Sequence, residues 1–218
     1  MSAIPVFDAC AEKELTHVMK LNESMERIKL PQPKTSGIVT LEEVLSKRRS
    51  VRSYTDKELN IEQISQLLWA AQGITDSGGF RTAPSAGALY PLNIYLTKSD
   101  GTYAYDANNH ELIKLSESDI RRSLYAAGLY QEAIADAPVV FVITAVFQRT
   151  TKKYGDRGIQ YVYLEAGHAA QNLILQATAI DLGGVPIGAF VDEQVSDIMA
   201  LSEKETPIYI IPVGYPEE

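Results

Sequence analysis

The chain carries a single cysteine, Cys10. One thiol excludes an intrachain disulfide and a cysteine-rich zinc site. It is compatible with a reducing compartment. No apolar run is long enough to cross a bilayer as a helix. Met1 to Cys10 lacks the basic start and apolar core of a secretion signal, so a soluble, cytoplasmic protein is expected. Positive charge is in deficit: 20 Lys and Arg against 28 Asp and Glu give a formal net charge of −8. That balance argues against non-specific nucleic-acid binding, which needs basic surface to displace counterions. His17 and His110 have no companions at metal-ligand spacing, and His168 reads as a core or interface histidine, so no metal site is expected. No G-x-G-x-x-G, no G-x-S-x-G, and no Ser-His-acid or Cys-His arrangement emerges. Internal repeats and low-complexity tracts are absent too.

What remains is an ordinary globular composition. At 218 residues, 45% hydrophobic and 22% charged, the chain fits one domain with a proper core. Residues 9–29 alternate charged and apolar positions at near-helical spacing, with Leu15, Val18, Met19 and Leu21 as a narrow stripe. Leu30-Pro31-Gln32-Pro33-Lys34 breaks any helix and reads as an extended linker. Residues 1–39 are therefore expected to form an arm and 40–218 the domain. The arm packs on a neighbouring subunit or forms a partly ordered tail. Thr40-Leu41-Glu42-Glu43 is a capping box opening a helix to about Lys47, and Asn60 to Gln63 opens a second that stops near Gly73. Residues 74–88 read as an irregular loop. Strands are expected at 93–97, 102–105 and 111–115, with a turn at 106–109. The β-branched run 138–147 reads as a central strand. Residues 119–127 and 192–201 look helical, 157–182 is the longest helical pattern, closed by Gly183-Gly184, and 208–213 is a last strand. Helices bracket a small sheet that contains a hairpin, which favours an α+β fold over a doubly wound parallel sheet.

Four segments carry possible chemistry. Arg48-Arg49-Ser50-Val51-Arg52 sets three guanidinium groups beside a hydroxyl directly after a short helix. Arg grips phosphate in a planar, bidentate way; the plainer alternative is a solvated basic patch. Pro84-Ser85-Ala86-Gly87-Ala88-Leu89-Tyr90-Pro91 is built of small residues that let backbone approach a flat ligand, or is an ordinary loop bounded by prolines. Gly183 to Gly188 is a helix cap and turn, and its Pro186-Ile187-Gly188 stretch could aim a backbone N–H at a ring nitrogen. Lys153-Tyr154 is either a surface Lys beside a half-buried Tyr or a pair able to move a proton near neutral pH.

The order of these segments resembles the flavin-dependent nitroreductase family. RRSVR is similar to the family's R-R/H-S-x-R signature, and PSAGALYP to its P-S-x-x-x-x-x-P loop. EAGHAAQNLILQATAIDLGGVPIGAF is similar to its long central helix and the Gly-rich turn that meets the flavin. With KKYGDRG and the terminal IYIIPVGYP, the pattern looks like the SagB/thiazole–oxazole-oxidase branch, whose FMN-dependent dehydrogenases oxidise azoline rings in modified peptides. The likeness covers about residues 40–216. It implies a small, mostly antiparallel sheet wrapped by helices, a long central dimer helix, and a homodimer with two FMN sites at the interface.

By the same resemblance, Arg48, Arg49, Ser50 and Arg52 would hold the phosphate and ribityl chain. Ser85, Ala86, Gly87 and Leu89 would reach the flavin from the partner subunit. Pro186, Ile187 and Gly188 would lie at the ring edge near N5, and Lys153 and Tyr154 would remove the proton. Two departures stand out. Ala88 and Tyr90 replace the Asn and Gln common inside the loop, and Gly214-Tyr215-Pro216-Glu217-Glu218 offers no basic residue to the phosphate. The expected activity is an FMN-dependent oxidoreductase acting on a small molecule or a peptide. An azoline-type dehydrogenase competes with a generic reductase of nitro compounds or quinones that takes electrons from NAD(P)H. A flavin-binding protein without turnover is the third reading.

Overall fold

The computed structural model describes residues 25–217, so Cys10, His17 and the stripe from Leu15 to Leu21 lie outside the described residues. The alternation in β5 (Val139–Ala145) organises the rest. Val139, Phe141, Ile143 and Ala145 face one core cluster, while Val140 and Val142 face another. Side chains alternate across a strand, so a run buried at every position has both faces covered. β5 is accordingly central, and its partners on both sides are antiparallel: β2 (Leu92–Lys98) and β7 (Thr206–Gly214). The full sheet also contains β1 (Arg27–Lys29), β3 (Gly101–Asp106), β4 (Glu111–Ser116) and β6 (Gly183–Gly184). Its order is β1-β4-β3-β2-β5-β7-β6, with every pairing between named strands antiparallel.

Helices cover the two faces. α1 (Leu41–Lys47), α2 (Ile61–Gln72), α5 (Gln148–Tyr154) and the 23-residue α6 (Arg157–Ala179) form one group. Leu67 and Leu68 of α2 and Leu173 of α6 pack in the same cluster as Phe141. α3 (Arg121–Ala127), α4 (Glu132–Asp136) and α7 (Asp192–Ile198) lie on the other face, contributing Leu124, Ile134 and Val195 to the second cluster. The architecture is α+β, as the strand pattern predicts.

Local chemistry explains most boundaries. Asn60 accepts from the Gln63 N–H at 2.8 Å while Gln63 reaches back to the Asn60 N–H at 3.1 Å, a complete capping box. Thr40 caps α1, but the expected reciprocal contact is missing: the Glu43 carboxylate pairs with Lys47 one turn on, at 2.6 Å. Two further expectations are corrected. The helical spacing over 9–29 ends in a strand, because Arg27–Lys29 pairs with β4 and its edge position leaves polar side chains outside. Gly183-Gly184 does not cap the long helix. α6 stops at Ala179, Asp181 takes the left-handed conformation at φ 59°, and Leu182 returns its N–H to Ala177. The two glycines are sheet, where their missing side chains admit Val51 and the Pro212 carbonyl.

Candidate functional site

At the C-terminal end of α6, two of the four segments meet. Ser50 bridges Gly184, and the Val51 N–H donates to the Gly184 carbonyl at 3.2 Å. A Cβ on Gly183 would sit 2.4 Å from Val51 Cγ2, so only glycine lets the chains approach this closely. Tyr54 fixes the far end of the segment, its buried hydroxyl donating to the Pro212 carbonyl at 3.2 Å. The arginine heads divide. Arg49 donates to the carbonyls of Ser46 (3.0 Å) and Arg48 (2.8 Å), closing the end of α1. Arg48 and Arg52 make no ion pair among the described residues. Downstream, Pro186 has no N–H, and the Ile187 N–H is taken by Ile210 at 2.8 Å. Gly188, exposed, with Tyr209 Cε1 3.7 Å from where a Cβ would sit, is therefore the amide of this trio able to serve a ligand.

The other two segments meet at the N-terminal end of α6. The loop from Ser85 turns sharply: Gly87 has φ 65°, and Ala88 and Tyr90 hold φ 53° and 45°, a region that disfavours side chains. Ser85 Oγ accepts the Tyr90 N–H at 2.9 Å and locks the turn, and the Ala88 N–H bonds the Ser85 carbonyl. Lys153 and Tyr154 end α5 and point at this loop. A Cβ on Gly87 would lie 2.7 Å from Tyr154 Oη and 2.9 Å from Lys153 Nζ, so both functional heads converge on one bare point of backbone. Tyr154 packs edge-on against Tyr161 of α6, with centroids 5.3 Å apart. Ala86 is half-buried beside Gly87, and Leu89 half-buried beyond it.

Beneath the loop lies a carboxyl that the sequence does not announce. Glu165 of α6 is 3% exposed, and its Oε1 has no hydrogen-bond partner. Burial pushes its pKa up to about 7, against the pull of Ser85, Arg81 and Gln72, which face it. Arg81 donates to Gln72 Oε1 at 3.0 Å and stacks over the Tyr90 ring at 4.6 Å, yet its Nε is buried and unpartnered. Burial also lowers the Arg81 pKa. Helical spacing places Glu165 on the inner face of α6, but an inward Glu in an apolar stripe is visible only once the loop is seen above it.

A Ser–His contact does form, with a tyrosine and not an acid as its third member. Ser65 Oγ lies 2.8 Å from His110 Nε2, and Tyr105 Oη lies 2.9 Å from Nδ1. Ser65 is 1% exposed and donates to the Pro31 carbonyl at 2.6 Å, so the trio clamps the Pro31 segment and has no access to substrate. His168 is exposed on α6. No cluster of metal-ligating side chains exists among the described residues, and no described helix is long and apolar enough to cross a membrane. A cavity of about 730 Å³ between residues 31–39, α2 and α6 is lined by none of the predicted site residues.

The two halves are far apart within one chain. Ser85 faces Glu165, whereas Gly184 packs on Ile174. Nine residues of helix separate those anchors, about 14 Å along the axis. The same helix leaves Ile159, Tyr163 and Leu164 exposed, as are Ile38, Leu41 and Leu45.

Comparison with known proteins agrees with the fold. The sequence model of the Nitroreductase family matches residues 45–215. A nitroreductase-type protein of Methanocaldococcus jannaschii is 44% identical over 182 residues, covering 81% of this chain and 91% of its own. The crystal structure of a nitroreductase-type protein from Ralstonia eutropha superposes with a TM-score of 0.81 at 32% identity, covering 88% of this chain and 90% of that one. The microcin B17-processing protein McbC of Escherichia coli is 28% identical over 174 residues, covering 73% of this chain but only 63% of McbC.

Proposed function

This chain belongs to the nitroreductase family, a family of oxidoreductases that typically use flavin, and we propose that it is an FMN-dependent, SagB-type dehydrogenase. It acts as a homodimer and removes hydrogen from a carbon beside a heteroatom. The convergence of Lys153 Nζ and Tyr154 Oη on Gly87 carries this reading. Two proton-exchanging heads at one point of an otherwise small-residue loop make a place where a substrate C–H can lose its proton to whichever head is deprotonated. The likeness to McbC, a microcin B17-processing protein, supports the SagB-type branch.

The residues present fit FMN. Arg48, Arg52 and Ser50 supply donors for a phosphate dianion, with Arg49 holding the end of α1 behind them. Gly188 offers its amide at the ring edge. Ser85, Ala86, Gly87 and Leu89 supply a surface without large side chains. FMN, when bound, supplies the two-electron acceptor. Lys153 and Tyr154 take the proton, and Gly87 keeps their heads at the substrate. The 14 Å offset between the halves along α6 is met by pairing each half with the opposite half of a second copy. The exposed Ile159, Tyr163 and Leu164 stripe is the surface for that pairing. Such an interface buries on the order of 2,000 Å². A flavin-loaded monomer in sedimentation at micromolar concentration would refute the composite site.

Tyr154→Phe and Lys153→Ala test the chemistry. Each is expected to slow dehydrogenation by roughly 10²–10⁴-fold with flavin content unchanged. The second reading, a reductase of nitro compounds or quinones fed by NAD(P)H, is favoured by the M. jannaschii relative. Such acceptors draw protons from water, so under that reading both variants keep their activity on every accepted substrate.

A further inference from the structure

A second cavity, of about 380 Å³, opens beside the Ser85–Tyr90 loop and shares Gln72 and Arg81 with the surroundings of Glu165. Polar side chains dominate its lining: Gln72, Arg81, Asn93, Tyr105, Asn108 and Arg149. Neither guanidinium has a carboxylate within 4 Å among the described residues. Arg81 Nε and Gln72 Nε2 are buried with no hydrogen-bond partner. In a chain of net charge −8, two guanidinium groups without an ion pair, beside buried N–H donors left unfilled, favour an anion in this polar cavity, because a buried donor without an acceptor is costly.

The cavity's position gives it a purpose. Arg149 donates to the Tyr90 carbonyl at 3.3 Å and to Asn93 Oδ1 at 3.0 Å. It stands four residues before Lys153 on α5, hence on the same helix face one turn away. The loop runs alongside that face, with Gly87 against Lys153 and Tyr90 against Arg149. We propose that the Arg81–Arg149 cavity is a carboxylate-binding subsite, which anchors a carboxylated small-molecule substrate one helical turn from Lys153. The word substrate rests on the function proposed above; the binding does not. Planar guanidinium and amide donors match a planar carboxylate. Asp106, which also lines the cavity, favours a single negative charge over a phosphate dianion. Glu165 faces Arg81 from α6, but burial holds its pKa up to about 7, so it offsets that guanidinium only in part at neutral pH.

Calorimetric titration of the purified full-length protein with N-acetylglycine, at constant ionic strength and pH 7, tests the proposal. Saturable binding is expected, with at least a tenfold loss in Arg81→Gln and in Arg149→Gln, the change expected when one charged hydrogen bond is lost. The exposed Arg149 guards against misreading a folding defect at half-buried Arg81. The visible flavin spectrum of Arg149→Gln is expected to match wild type, which separates this subsite from the flavin assignment. A colourless protein that still binds N-acetylglycine would sink the flavin reading and leave the subsite standing. Equal binding of the neutral N-acetylglycine methylamide, undiminished binding by Arg149→Gln, or inorganic phosphate competing at equal affinity would each overturn it.

Discussion

At the N-terminal end of α6 the Ser85–Tyr90 loop is held by shape. Left-handed backbone at three positions, one serine lock and a bare glycine fix where Lys153 and Tyr154 meet. At the C-terminal end the Arg48–Arg52 segment is held by extended backbone bridges to Gly184, and Arg48 and Arg52 are left without an ion pair among the described residues. One end fixes geometry before a ligand arrives. The other leaves charge to be neutralised by the ligand itself. A site shared between the two would take its affinity from the arginine end and its reactivity from the loop end.

Removing the charge is the most severe test of that division. Arg48→Ala with Arg52→Ala is expected to weaken FMN by about 100-fold or more, at 1.5–3 kcal/mol per charged hydrogen bond. Riboflavin, which lacks the phosphate, should be nearly unaffected. Equal losses for both, read by flavin fluorescence titration, would take the phosphate away from these arginines.

Gly87→Ala attacks the other end. The left-handed backbone alone costs about 1–2 kcal/mol, and the new methyl displaces Tyr154 Oη and Lys153 Nζ. A lower urea midpoint and roughly tenfold slower dehydrogenation are expected. Unchanged turnover would mean that the convergence of the two heads has no catalytic weight.

Glu165→Gln should sharpen the contrast through pH. The folded-state pKa of about 7 exceeds the ordinary 4.5, so the folded protein binds more protons between those values. Stability is therefore lost as pH rises from 4.5 through 7. The variant lacks that penalty and is expected to be more stable than wild type at pH 8, on the order of 3 kcal/mol, and equal at pH 4. Denaturant melts at the two pH values check this.

His110→Asn is the smallest change. Burial lowers the His110 pKa, so the wild type loses stability as pH falls below 6.5. The variant should lose about 1 kcal/mol at pH 7 and show no such slope from this position. Asn tolerates the left-handed φ of 50° found here.

Much of this was legible in the residues because period and capping are local. The complete Asn60–Gln63 box, the β-branched run of β5 and the hairpin from 101 to 116 need no tertiary context. The errors came where two signals coincided. Gly183-Gly184 follows a helix, which suits a cap, but their value lies in admitting Val51 from a segment far earlier in the chain. The site residues were visible as four clusters, whereas their pairing into two ends was not. Glu165, Arg81 and Arg149 were missed because a lone charge in sequence has no signature until its neighbours fold around it.

The sheet's margins carry one more consequence. β1 is three residues long, with Arg27 and Lys29 flanking Ile28, and β6 is two glycines. Short, charged or side-chain-free borders are poor templates for adding a strand from another molecule. Self-association through extended backbone is thereby discouraged at both rims, and crowding of this acidic protein in a cell would not readily seed fibrous assembly from them.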